Sequence, residues 1–220
     1  MNRPSRTSVA VAAGLAIAAL LLAGCASAPE PTPSPTASET PTPPPAPTPS
    51  PATTVAAPDP ADVTTWVISG AGFGPVERGA VFPGVAEPLS AFELAPVDAS
   101  CPRLSTLSPV EDSSDAAALL LIVSESGDRV EDVWVSGSPD ASGALPVAPR
   151  TAEGIGLGSS TDELTAAYPE LQQIAQVSAE AFGYAVGDEE GGWIDFIVVE
   201  DVVMSIGSSA EPRAPKEFCG

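Results

Sequence analysis

The arrangement of apolar and polar positions changes three times along the chain, and each regime predicts a different structure. Val9 to Leu22 is an apolar run of small and branched residues broken only by Gly14. Residues 29–60 then alternate proline with Thr, Ser and Ala and show no apolar periodicity. From Thr65 the apolar runs return, punctuated by glycine. Ala117 to Val123 and Trp193 to Val199 are continuous enough to read as strands buried within a sheet. Ser124-Glu125-Ser126-Gly127-Asp128-Arg129 and Val199-Glu200-Asp201-Val202 carry turn composition between such runs, so each predicts a hairpin. Phe182 to Val186 is predicted to pair with Trp193 to Val199 across the acidic turn Asp188 to Gly192.

One helix start is written clearly. Ser160-Thr161-Asp162-Glu163 has capping-box spacing, Leu164, Tyr168 and Leu171 recur at helical intervals, and Pro169 ends the regular helix near Tyr168. The equivalent span of the first half, Val81 to Leu94, contains Pro83 and Pro88 and has room only for a short or broken helix. Both halves open on Gly-apolar-Gly, at Gly70-Ala71-Gly72 and Gly154-Ile155-Gly156, and continue into strands joined by acidic turns. The expected fold is therefore α+β: a duplicated module over residues 65–140 and 145–220, with a short helix packed on antiparallel strands in each half.

This order of elements resembles the tandem α/β repeat of the β-lactamase inhibitor protein family, over most of Trp66 to Ala210. The resemblance implies a helical segment packed on an antiparallel sheet in each repeat. It matches no inhibitory residue by position and extends to architecture alone.

The N-terminal regime reads as an export signal, with Arg3 and Arg6 ahead of the apolar run. At its end Leu22-Ala23-Gly24-Cys25 resembles the bacterial lipobox. That resemblance implies a signal peptide at 1–24, cleavage before Cys25, diacylglycerol on the Cys25 thiol and a further acyl chain such as palmitate on its new amino group. Two or three chains anchor stably where one does not. An ordinary secretory signal with an incidental cysteine is the alternative. Residues 25–62, which hold half of the 26 prolines, form a linker biased to polyproline II, its prolines lacking backbone donors. About 35 residues at ~3.1 Å each reach on the order of 100 Å, the span of a stalk. A docking segment for a PxxP-reading domain is the sharper alternative. Residues 63–220 remain as the exported domain.

Charge and composition then exclude several chemistries. Setting aside Arg3 and Arg6 leaves 6 basic against 29 acidic residues, a balance of −23. Such a surface repels nucleic acid and anionic headgroups. The chain contains no histidine, which removes the usual general base and zinc ligand and any Ser-His or Cys-His arrangement. Its one lysine is the near-terminal Lys216, and the glycine-rich openings lack nucleotide-binding spacing. Carboxylates remain: Glu111, Asp112 and Asp115 in one loop, Asp188, Glu189 and Glu190 in another. Either group could in principle serve glycoside hydrolysis or calcium, but the spacing matches no calcium loop and both groups fall in turn segments, which reads as solvated surface. Trp66, Trp134 and Trp193 would line a sugar-stacking face or else belong to the core. Cys101 and Cys219 are the two cysteines of the exported domain, and outside the cytoplasm such a pair forms a disulfide more often than two reactive thiols.

The reading is a lipoprotein of the type found in high-GC Gram-positive bacteria, anchored on the extracytoplasmic face of the membrane. Its domain presents a non-enzymatic binding or protein-interaction surface to an envelope protein or wall component, with no cofactor. A carboxylate-dependent hydrolase of wall polysaccharide is the second reading, and transport-associated solute binding a third.

Overall fold

The structure is a computed structural model, and it describes residues 57–110, 115–189 and 191–219. Cys25, the signal peptide and the linker up to residue 56 lie outside the described residues, as do Glu111, Asp112 and Glu190.

The expected α+β module is overturned. The domain is mostly β, and among the described residues there is a single α-helix, α1 (Thr161–Ala167). In the first half, the span that was to carry a helix forms only a 3₁₀ turn at Gly84–Ala86. Pro83 stands immediately before that turn and Pro88 shortly after it, so no backbone stretch between them is long enough for a stable α-helix. In the second half the capping box forms as written. Ser160 Oγ accepts from the Glu163 amide at 3.2 Å, and the Glu163 carboxylate accepts from the Ser160 amide at 2.7 Å. Leu164 is buried under α1, and the Tyr168 ring lies 5.7 Å from that of Phe196.

The strands form two sheets. The larger contains β4 (Phe92–Leu94), β5 (Leu104–Pro109), β6 (Leu119–Val123), β7 (Val130–Ser136), β9 (Gln172–Gln176), β10 (Ala181–Asp188), β11 (Gly192–Val199) and β12 (Val202–Ser209). Its order is β4-β5-β6-β7-β12-β11-β10-β9, all antiparallel. Two four-stranded meanders thus meet along β7 and β12, where Ser136 and Ser205 hydroxyls share a 2.7 Å hydrogen bond. The smaller sheet is β1 (Val67–Ser69), β2 (Gly72–Phe73), β3 (Val76–Glu77) and β8 (Arg150–Thr151), in the order β3-β2-β1-β8.

Register divides the large sheet into two unlike faces. Leu107, Leu119, Val135, Ile206 and Phe196 are successive cross-strand partners on the front. They pack beneath Trp66, Ile68, Phe73 and Val76 of the small sheet and its approach. Ser208 Oγ ties the two layers by donating to the Gly70 carbonyl at 2.9 Å. The back face carries Leu120, Trp134, Gly207, Asp195 and Ala185 in one row.

The hairpin predicted at Val199 to Val202 is present, and its two central residues take positive φ, 49° at Glu200 and 65° at Asp201. A side chain in that region costs about 1 kcal/mol relative to glycine. Asp201→Gly should therefore raise stability by about 1 kcal/mol, seen as a higher denaturant midpoint at unchanged slope. An unchanged midpoint would mean the turn stores no strain.

Candidate functional site

β7 and β12 are buried on both faces over residues 132–135 and 205–209, although the small sheet covers only the front. The cover on the back is the C-terminal segment. After Ser209 the chain, interrupted by Pro212 and Pro215, runs without regular structure over the back face to Cys219. It is seated residue by residue. Arg213 forms an ion pair with Asp132, and the Arg213 amide donates to Asp195 Oδ1 at 2.8 Å. Ala214 lies where a Cβ at Gly183 would stand, so the strap sits flush on β10 because residue 183 has no side chain. Gly207 plays the same part for the Trp134 indole, which crosses directly over it. Phe218 meets Trp134 edge-on at 5.4 Å between centroids. Cys219 is joined to Cys101 in a disulfide, with Cα atoms 5.5 Å apart. The expected cysteine pairing is therefore present, and it closes the end of a strap.

Beneath the strap lie two buried carboxyls, Asp132 on β7 and Asp195 on β11, 3 % and 0 % exposed. Burial pushes both upward from the ordinary carboxylate range; Arg213 and then Arg78 pull Asp132 back, while Asp195 reaches about 6, with the neighbouring Asp132 charge adding to the rise. Hydrogen-bond accounting points the same way. Ser209 Oγ lies 2.5 Å from Asp195 Oδ2 and 2.6 Å from the Glu211 carbonyl. A serine has one proton, and a carbonyl can only accept. A protonated Asp195 resolves the conflict by donating to Ser209, which then donates to Glu211. One guanidinium thus balances one of the two carboxylates, and burial favours the neutral form of the other below a pH of about 6.

Two cavities flank the strap and share Asp132 and Arg213 as a common wall. The first, about 410 Å³, lies between the strap and the back face and is lined by Arg103, Ile122, Trp134, Pro215, Phe218 and the disulfide, among others. The second, about 780 Å³ and more open, lies at the end of the sheet against Arg78, Ser124, Arg129, Glu131 and Glu211. Of the six basic residues of the exported chain, Arg78, Arg103, Arg129 and Arg213 line one cavity or both.

The residues singled out from sequence are not brought together. Trp66 is 2 % exposed on the front side, its indole N–H donating to the Asp59 carbonyl at 2.6 Å. Trp134 and Trp193 share the back face, but Trp134 is 1 % exposed beneath Phe218 and Trp193 is half-buried over Gly187. The three therefore form no common sugar-stacking face. Asp115 and Glu189 are exposed, and the Asp188 carboxylate accepts from the Gly70 amide. No cluster of metal-ligating side chains occurs among the described residues.

Sequence reasoning missed Asp132 and Asp195. Their signal was available: each stands inside an apolar run, in Val130-Glu131-Asp132-Val133-Trp134 and Trp193-Ile194-Asp195-Phe196-Ile197, where an unpaired charge is costly. What the fold and site define is a mostly-β, two-sheet domain whose C-terminal strap is locked by a disulfide. No known protein family, curated protein or solved structure matches the chain.

Proposed function

We propose that this chain is a membrane-anchored cell-envelope lipoprotein whose β domain is a non-enzymatic binding module. The anchor rests on Leu22-Ala23-Gly24-Cys25 at the end of an apolar run and on the proline-rich tract that follows. The observation that carries the binding reading is the use made of the two buried carboxyls. Asp132 is occupied by Arg213, and Asp195 by Ser209 and the Arg213 amide, so both hold the strap. A carboxyl near 6 would suit a general acid, and this favours the hydrolase reading; Asp195, however, is absent from the lining of either cavity. The cavities offer arginines and aromatic side chains instead, which suits recognition of a ligand.

Cys25→Ser should release the protein from the membrane fraction or leave an unprocessed precursor. Wild-type fractionation and maturation of that variant would remove the anchor. Wall polysaccharide should not be turned over by the protein, and turnover abolished by Asp132→Asn with the fold intact would replace the binding reading by the hydrolase.

A further inference from the structure

In a chain where acids outnumber bases so heavily, an arginine with no carboxylate at contact distance stands out, and two of them line one cavity, with Asp132 and Asp128 acting on them only from farther off. Among the described residues the ion pairs within 4.0 Å are Arg103 with Glu131 and Arg213 with Asp132. Arg78 and Arg129 are held by backbone carbonyls instead. Arg78 Nε donates to the Glu131 carbonyl at 2.9 Å and its Nη1 to the Gly70 carbonyl at 2.7 Å; Arg129 Nη1 donates to the Gly79 carbonyl at 2.9 Å. The two residues sit on segments bonded to each other, with the Gly79 amide donating to Val130 and the Val130 amide to Ala80. A guanidinium has five N–H groups in a fixed fork. These contacts use two on Arg78 and one on Arg129, so both charges are fixed in place by neutral acceptors with donors to spare.

The acidic neighbours do not cancel them at contact distance. Glu131 and Asp132 are taken by Arg103 and Arg213, and Asp128 accepts from Ser124 and Ser126. Glu211 is the remaining carboxylate in the lining. We infer that the cavity at Arg78 and Arg129 binds a single oxyanion, the phosphate or carboxylate group of a small ligand, through charge-assisted bonds from the two forks. The surrounding negative surface admits one such group where these arginines offset it and repels a polyanion. The inference names the ligand chemistry of the binding module proposed above and rests on that reading.

The test is calorimetric titration of the full oxidised chain in non-ionic detergent with inorganic phosphate and, separately, with acetate. Saturable binding of at least one is expected. It should weaken as sodium chloride rises, fall roughly tenfold or more in Arg129→Gln and in Arg78→Gln, and remain in Arg150→Gln, which lies outside the cavity. Phosphate alone or acetate alone supports the inference and identifies the group. Arg78→Gln removes two contacts that hold loops, so Arg129→Gln, which removes one, is the decisive variant, read with a melting curve to show that it folds. Absence of saturable binding for both anions, or binding unchanged in Arg129→Gln, overturns the inference. If the chain still crosslinks to a partner on intact cells, the binding module survives without its oxyanion; turnover of wall polysaccharide would instead remove the module itself.

Discussion

Breaking the Cys101–Cys219 disulfide lowers the melting temperature of the domain by roughly 10–20 °C, the largest effect expected of any change described here. The bond closes a loop with a sequence separation of 118. On the chain-entropy account, opening so long a loop frees about 5 kcal/mol of unfolded-state entropy. At this domain size each kcal/mol corresponds to ~2–4 °C. Native contacts are at stake too, because Phe218, Ala214 and Arg213 are held against Trp134, Gly183 and Asp132 by a segment fastened at its far end through Cys219. The measurement is a melting curve with and without reductant, repeated on Cys101→Ser/Cys219→Ser. Superimposable curves would show that the strap contributes nothing to the cooperative unit.

Stability should also rise as the pH is lowered from 7 to about 5, the reverse of the usual response of a carboxylate-rich protein. Asp195 has its folded value raised to about 6 from 3.8. Between those values the folded state binds a proton that the unfolded state has released, so stability falls as pH rises through this window and levels off above it. The shift of about two units corresponds to an order of 3 kcal/mol. Asp132 is raised as well and acts with the same sign. Asp62, Asp98, Asp128, Asp140 and Glu163 are lowered by hydrogen bonds from nearby hydroxyls and amides. What they contribute is present above their unfolded values and lost as pH falls through their folded ones, a window below that of Asp195. Asp195→Asn keeps an acceptor for the Arg213 amide and a donor for Ser209 while removing the charge. It should raise stability at pH 7.5 by about 1–3 kcal/mol and flatten the dependence between pH 5 and 7. A variant less stable than wild type at pH 7.5, with the slope retained, would mean that the Asp195 carboxylate is stabilised under the strap and that another group carries the slope.

Local features were legible wherever one physical rule decided them. The apolar run at Ala117 to Val123 contains β6 and that at Trp193 to Val199 makes up all but the first residue of β11; Glu200-Asp201 turns; Ser160 and Glu163 cap α1. The disulfide followed from compartment and from the isolation of its two cysteines. The helix expected in the first half failed because the analogy between the halves was given more weight than Pro83 and Pro88. The back face was illegible for a different reason. Residues 210–219 have no periodicity, and their role comes from tertiary seating on Gly183 and Gly207, whose lack of a side chain reads in sequence as mere turn propensity. The acidic residues chosen as chemical candidates came in clusters, whereas those the fold buries are single aspartates between large apolar neighbours.

The two ends of the domain lie on opposite sides of the large sheet. The chain enters beside the small sheet, where the Asp59 carbonyl takes the Trp66 indole N–H, and it leaves across the back, ending at the disulfide. A pull applied to the chain at Asp59 would therefore be taken first by the front layer. The strap, with the cavity beneath it, lies on the side of the large sheet opposite Asp59 and Trp66, so Arg103 and Arg213 are reached from the back face. A label attached beside Cys219 would occupy that same approach, whereas one attached beside Asp59 would leave it clear.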